Sequence, residues 1–548
     1  METVENLFRR LEQLNEIGAA LSQEKNLDAL LENILIAAKT ITRADGGTLY
    51  LRTEDRRLKF AIMRTDSLNI AMGGTTGNPI PFYPIHLYGK DGEPNQQMVA
   101  AYAAITGKTV NIADAYTEKG FDFSGTRNFD KKTGYRSKSF LTVPMRNHEG
   151  EIIGVLQLIN SKHPSTGEAV PFSEADQRLA ESLGSQAAIA LTNRQLIIQL
   201  EELFESFIEL INMAIDEKSP YTGGHCQRVP MLTMMLAEAV NETRSGPLAD
   251  FNMSDKDRYE LRMAGLLHDC GKITTPVHVV DKATKLEAIF DRIHLIDTRF
   301  EVLKRDAEID ALKKRLGLAK GPVLGEMERR EREFEMDEWL RDRLRHINTD
   351  RDFLRKCNIG GEAMNKADQD RVGRIGIDHR WCDSEGNTAN FLTESEVENL
   401  TIQRGTLTNK EREIINHHIV ATIKMLEALP WPKHLTNVPE YAGGHHERMD
   451  GKGYPRGLTR EQMSVQARVM GIADIFEALT AKDRPYKRGK TLSDSLRILG
   501  NFRLNGHIDP DLFDVFIRRK VYIRYAEQFL DPEQIDQVDE AKIPGFAP

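Results

Sequence analysis

The sequence predicts a multi-domain protein in which a long helix joins an α+β domain to an all-α domain. Three observations predict it. The chain has 548 residues, too many for one ordinary hydrophobic core and enough for about two to four domains. Its apolar spacing changes from a helical period to an alternating one near residue 45 and back again near Pro171. From about residue 216 onward the pattern is helical almost throughout.

The amino terminus, METVENLFRRLEQLNEIG, reads as an amphipathic charged helix and not a signal peptide, with apolar positions at Leu7, Leu11, Leu14 and Ile17. A second helical run extends from Leu27 to Ile41. Five β-branched segments follow, bounded by Gly, Asp or Asn: GGTLYLRTED, LKFAIMRTDS, KTVNIADA, KSFLTVPM and EIIGVLQLIN. Helices on either side of such a block predict an α+β domain over 1–195. In the linker helix, 172–215, Leu196, Leu200, Leu203, Phe207, Leu210 and Ala214 alternate spacings of four and three. That is the seam of a coiled coil, and it predicts a parallel homodimer.

Beyond the linker lie a first catalytic-candidate segment over 216–284, a charged helical segment over 285–404, and a final segment over 405–548. Runs such as EMERREREFEMDEWLRDRLRH make the middle segment read as solvated helices without metal-ligand spacing. The formal net charge of −9 gives no electrostatic attraction for a nucleic-acid polymer. An anionic ligand then has to be held by local cations or by metals. Cys226, Cys270, Cys357 and Cys382 lack CxxC spacing, which fits a reducing compartment and no disulfide framework. No apolar run approaches the ~20 residues of a membrane span. The expectation is a cytoplasmic, soluble protein.

Chemistry concentrates in the helical half. Of fifteen histidines, eleven lie between His225 and His446. In LRMAGLLHDCGKI, Leu261, Ala264, Gly265 and His268 share one helical face, so His268 is carried towards the core. Asp269 sits at a helix end that Gly271 is predicted to terminate, where the backbone dipole disfavours a carboxylate. Asp474 repeats the puzzle inside the apolar run VQARVMGIADIFEALTA. It is either paired with an arginine such as Arg468 or held by a metal, because an isolated buried carboxylate is costly. Histidine and aspartate without thiolates suit Fe, Mn, Co or Zn, and two such ions about 3.5–4 Å apart suit phosphoester hydrolysis. Asp269 is placed to bridge such ions, and Lys272 to set a cation against a phosphate.

Together HDCGK (268–272), HHERMDGKGYP (445–455), IADIFEALT (472–480) and RPYK (484–487) resemble the HD-GYP family, a branch of the HD metal-dependent phosphohydrolases. The resemblance implies hydrolysis of the bacterial second messenger cyclic di-GMP to pGpG, or on to GMP, at a site usually holding iron or manganese. Carried over by position, His225, His268, Asp269 and Asp474 hold a first metal, and Asp269, His418, His445 and His446 a second. Lys272 then sits beside the scissile phosphate, while Arg484 and Lys487 grip the other phosphate or the guanine edges. Three features depart from the family. His418 lies 149 residues after Asp269, which makes 285–404 an insertion in the catalytic domain and leaves His294 as a rival ligand, with His417 a neighbouring surface residue. Tyr221 stands where three-metal members have Glu, which favours two metals and pGpG as main product. The run from Asp474 to Arg484 is longer by one residue.

The amino-terminal half resembles a GAF domain, a small-ligand sensor with a central antiparallel sheet flanked by helices, through GYRSKSFLTVPM, EIIGVLQLIN and FSEADQRLAESLGSQAAIAL. It is most similar to the GAF domains of cyclic-nucleotide phosphodiesterases. Their signature is matched by Asn160, Lys162, Phe172 and Asp176, with Ser161 intruding and Gln177 in place of Glu. These resemblances imply a GAF-regulated cyclic di-GMP phosphodiesterase that binds two divalent ions, with diguanylate cyclases or other signalling proteins as partners. The competing readings are a hydrolase of another cyclic dinucleotide, such as cyclic GMP-AMP, and a non-catalytic cyclic-nucleotide receptor.

Overall fold

The computed structural model describes residues 4–218, 224–321, 325–361, 363–383, 385–482 and 489–547. The chain divides into two compact units, Met1–Phe204 and Glu205–Pro548. In the first, α1 (Val4–Gln23) and α2 (Leu27–Thr42) precede β1 (Ala44–Arg52), β2 (Arg57–Thr65), β3 (Ile70–Gly73) and β4 (Ile85–His86). Then come α3 (Val99–Thr106), β5 (Val110–Ile112), α4 (Ser124–Thr133), β6 (Phe140–Arg146), β7 (Ile152–Lys162) and β8 (Ala169–Val170). The 45-residue helix α5 (Glu174–Lys218) follows.

Every strand pair in the sheet is antiparallel, in the order β3-β2-β1-β7-β6-β5, with β4 beside β2 and β8 beside β7. Alternation along the central strands sends side chains to two cores. Leu49, Leu156 and Leu158 turn to α1, α2 and α5, where they meet Ile34, Leu35 and Leu191. Tyr50 and Val155 turn the other way, onto Ala100 and Ala101 of α3. Helix α2 starts where Asn26 Oδ1 accepts from Ala29 N–H at 2.9 Å, a side-chain cap for an otherwise unpaired amide. It stops at Arg43 in a left-handed conformation.

The second unit contains α6 (His225–Asn241), α7 (Asp255–Leu267), α8 (Val277–Val280), α9 (Ile293–Lys320), α10 (Glu326–Asn358), α11 (Lys366–Asp378) and α12 (Glu394–Leu400). It continues with α13 (Asn409–Glu427), α14 (Val438–Gly443), α15 (Val465–Thr480), α16 (Leu492–Leu504), α17 (Pro510–Arg518) and α18 (Val521–Phe529). One feature departs from the all-helical expectation, a small hairpin of β9 (Arg380–Cys382) and β10 (Thr388–Asn390). Helix α15 is buried along Val469, Ile472, Ala473 and Phe476 and packs against α6. Helices α7 and α13 begin at Ser254/Asp257 and Thr408/Glu411 capping boxes, which fix where each helix starts. Among the described residues, no helix is long and apolar enough to cross a membrane.

The charged segment has a core of its own. Phe300, Ile347, Leu354, Val372, Phe391 and Leu400 are buried together, while ion pairs such as Arg329–Glu333 and Arg330–Glu326 line the exposed faces. Its entry and exit lie side by side: Lys285 N–H donates to Asn358 O at 2.9 Å, and Lys285 Nζ donates to Leu400 O and Ile402 O. Lys282 Nζ reaches Glu411 at 2.8 Å at the start of α13. With its ends adjacent, the segment leaves the turn Cys270–Thr274, just after α7, packed on α13.

Candidate metal centre and active site

Five places in the second unit converge. His225 opens α6, and His268 and Asp269 end α7 and begin a short 3₁₀ turn over Cys270–Thr274. His418 lies within α13, His445 and His446 follow α14, and Asp474 lies within α15.

The turn meets α13 because Gly271 has no side chain. A Cβ there would lie 2.0 Å from His418 O and 2.5 Å from Thr422 N, and Gly271 N–H donates to Thr422 Oγ1 at 2.9 Å. Gly271 therefore does not end the helix, as the sequence predicted; α7 stops at Leu267, and the glycine permits a close approach. Gly271→Ala is expected to cost about 1–3 kcal/mol of stability by overpacking and to separate Asp269 from His418. Thermal melting and metal content check this, and wild-type values for both would discard the assignment.

Three histidines use Nδ1 in the same way. His268 Nδ1 donates to Gly265 O at 2.7 Å, His418 Nδ1 to Ile415 O at 2.5 Å, and His445 Nδ1 to Ala442 O at 2.6 Å. A carbonyl only accepts, so each Nδ1 carries the proton and each Nε2 of the neutral ring presents a lone pair. Those lone pairs converge on other acceptors. His268 Nε2 lies 3.2 Å from Asp269 Oδ2, and His418 Nε2 lies 3.3 Å from Asp269 Oδ1. His446 Nε2 is 3.2 Å from His418 Nε2, and His225 Nε2 is 3.4 Å from His268 Nε2. Asp269 Oδ1 and His445 Nε2 are buried without a hydrogen-bond partner. Asp269 only accepts, so the His268 and His418 lone pairs that face it repel it unless a cation lies among them.

Two groups result, His225–His268–Asp269 and His418–His445–His446, each with ligand atoms within 4.8 Å of one another. Asp474 Oδ1 joins the first at 3.3 Å from His225 Nε2. Asp269 faces both, with Oδ2 towards His225 at 3.1 Å and Oδ1 towards His418. Lys272 Nζ meets Asp269 Oδ2 at 2.5 Å. Burial alone would raise the Asp269 carboxyl, yet Lys272, His268 and His225 hold it well below its ordinary value. Burial pushes His445 well below the ordinary imidazole range and His446 down to about 4. Both rings are therefore neutral and able to ligate near neutral pH.

Residues 26–191 match the GAF domain family, and residues 222–332 and 393–512 each match an HD domain family. The chain carries a GAF domain and an HD domain. Over 114 residues it is 37% identical to a cyclic di-GMP phosphodiesterase of Pseudomonas aeruginosa, covering 21% of this chain and 26% of that protein. Over 81 residues it is 43% identical to 3'3'-cGAMP-specific phosphodiesterase 1 of Vibrio cholerae serotype O1, covering 15% and 19%. Over 207 residues it is 30% identical to the dual 3',5'-cyclic-AMP and -GMP phosphodiesterase 11A of Takifugu rubripes, covering 37% and 21%. The chain thus spans between 19% and 26% of the length of these curated relatives.

In the HD domain, His294 and His417 are exposed and stand outside both groups. Arg468 pairs with Asp509 and not with Asp474. Arg484, Lys487 and Tyr221 lie outside the described residues. In the GAF domain, Asn160 is buried at φ 55°. Its Oδ1 accepts from Lys138 N–H at 2.7 Å, and its Nδ2 donates to Tyr135 Oη and Arg136 O. Lys162 pairs with the buried Asp45, Phe172 lies in the α1–α2–α5 core, and Asp176 pairs with Arg10. Asn160, Phe172 and Asp176 are thus committed to packing and polar bonds. Lys162 alone of the four lines a cleft of about 540 Å³, with Lys39, Arg43, Arg64 and His163.

Sequence reasoning missed Glu477 of the HD domain, whose carboxylate is fully buried against His225 and Arg228. The available signal was a second carboxylate one turn beyond Asp474 in an apolar run.

Proposed function

We propose that this protein is a phosphodiesterase that hydrolyses cyclic di-GMP to pGpG under the control of its GAF domain. The observation that carries this reading is the convergence of imidazole and carboxylate lone pairs around Asp269, whose two oxygens face separate ligand groups. That donor set fits two divalent ions without thiolates, Fe or Mn, with His225, His268, Asp269 and Asp474 at one and Asp269, His418, His445 and His446 at the other. Bound there, such ions supply Lewis-acid stabilisation of phosphorane charge and a nucleophile at neutral pH.

The chain's own groups do the rest. The Nδ1 bonds to Gly265, Ile415 and Ala442 hold the rings in one tautomer and orientation. Asp269 ties the two positions together at a fixed separation. Lys272 sets an ammonium beside Asp269, where it draws a phosphate oxygen towards the centre and stabilises charge on the leaving oxygen. Arg484 and Lys487 bind the second phosphate or the guanine edges. Helix α5 pairs two copies, and the enzyme works in the reducing cytoplasm.

The likeness to a 3'3'-cGAMP-specific enzyme favours a second reading in which the same site takes that dinucleotide. Anaerobically purified protein, assayed for metal and then incubated with cyclic di-GMP and with 3'3'-cGAMP, tests both. About two Fe or Mn per chain and release of pGpG are expected. Faster turnover of 3'3'-cGAMP would transfer the assignment to the second reading. Tight nucleotide binding without turnover by metal-loaded protein would replace both with a receptor.

A further inference from the structure

His225 differs from the other ligand candidates in how its second nitrogen is held. His268, His418 and His445 each bond to a carbonyl three residues back, so their orientation is set locally. His225 is the first residue of α6, and its Nδ1 is held from another helix. Its Nδ1 instead meets Glu477 Oε2 at 2.5 Å, from α15 and 252 positions away in sequence. The other oxygen, Glu477 Oε1, accepts from Arg228 Nε at 2.7 Å, and Arg228 lies one turn beyond His225 on α6. Glu477 therefore clasps two side chains of α6 while itself fully buried.

The same face of α15 carries Asp474 one turn earlier. Asp474 Oδ1 stands 3.3 Å from His225 Nε2, while Glu477 holds Nδ1. One helix thus sets a carboxylate beside each nitrogen of one ring: Glu477 accepts from Nδ1–H, and Asp474 stands beside the Nε2 lone pair at the shared position. Resting on the phosphodiesterase reading, we propose that Glu477 is the positioning residue for His225. Its carboxylate keeps the proton on Nδ1 and directs Nε2 at the position shared with His268, Asp269 and Asp474. Arg228 holds the carboxylate in that pose, because a bidentate-capable guanidinium resists rotation of its partner. A glutamine at 477 has the same shape, but it must turn either its amide NH₂ or its oxygen towards Arg228. The first choice sets donor against donor, and the second offers His225 Nδ1 a donor, which favours the tautomer that cannot ligate through Nε2.

The test titrates Mn²⁺ into metal-free full-length protein, with free ion read by electron paramagnetic resonance. Glu477→Gln is expected to weaken one of the two sites by about 10–100-fold, the usual effect of losing a carboxylate behind a ligating histidine, and to leave the other unchanged. Glu477→Asp, which keeps the charge, is expected to recover part of that loss. The effect of Glu477→Gln should vanish in a His225→Gln background, since a residue acting only through His225 has nothing left to act on. Wild-type Mn²⁺ affinity in Glu477→Gln, or an undiminished effect in the His225→Gln background, would overturn the proposal. Equal weakening of both sites by Glu477→Gln with no recovery by Glu477→Asp would assign the residue to general packing and overturn it too. A wild-type chain that binds no Mn²⁺ would instead refute the metal reading on which the proposal rests.

Discussion

For the proposed cyclic di-GMP phosphodiesterase activity, Asp269→Ala is expected to lower kcat by about a thousandfold or more, equivalent to ~4 kcal/mol of barrier, and to leave at most one loosely held metal per chain. Asp269 is the one described carboxylate that approaches both ligand groups, with Oδ2 at 3.1 Å from His225 and Oδ1 at 3.3 Å from His418. Removing it leaves three imidazoles around one position and two imidazoles with Asp474 around the other, and nothing to fix their separation. It also strands Lys272, whose part-buried ammonium is paired with Asp269 Oδ2, so part of any loss reflects an unpaired cation. The Asp269→Ala/Lys272→Met double variant removes that second effect. If the carboxylate acts as a ligand, the double variant regains stability but neither metal nor activity. Wild-type metal content and turnover in Asp269→Ala would refute the bridging role.

The site was partly legible in sequence because two of its pieces are local. HDCGK and GGHHERMDG each place a histidine beside another candidate ligand, so a short window suffices to notice them. His418 was harder, since the 149 residues separating it from Asp269 admit both His294 and His417 as rivals. Helical geometry separates His417 from His418: adjacent residues on α13 point about 100° apart, and it is His418, with Thr422 one turn on, that backs against Gly271. Glu477 went unread because its meaning depends on the α6–α15 contact, which no spacing along the chain encodes.

In the GAF domain the five β-branched segments are present as β1, β2, β5, β6 and β7, whereas β3, β4 and β8, of four, two and two residues, carry no such run. The charged segment was legible as helix, but its core was not. Phe300 of α9 and Phe391 after β10, with ring centroids 4.4 Å apart, are separated in sequence by the rest of α9, α10 and α11, and the antiparallel return of α10 on α9 helps to bring their elements together.

The second large effect expected is on assembly. Leu203→Asp combined with Phe207→Asp should convert a dimer into monomers, as measured by sedimentation or light scattering at micromolar concentration. Along α5, Leu196, Leu200, Leu203, Phe207 and Leu210 are between 50% and 66% exposed, and their four–three spacing keeps them on one stripe of the helix. Single exposed leucines need no explanation, but five in register leave a continuous apolar seam that water solvates poorly. A second copy of the same helix would cover it with matching spacing, and a parallel pairing would bring identical residues into layers. Two aspartates per chain would place four carboxylates in adjacent layers of that seam, where burial and like-charge repulsion oppose pairing together. The substitutions cost the helix itself only about 0.5 kcal/mol each in propensity, so melting of α5 does not account for lost assembly. All seven ligand candidates belong to one chain, so metal content should survive the double substitution and serve as the control for folding. A wild-type chain that sediments as a monomer at tens of micromolar would remove the seam from consideration as a dimer contact.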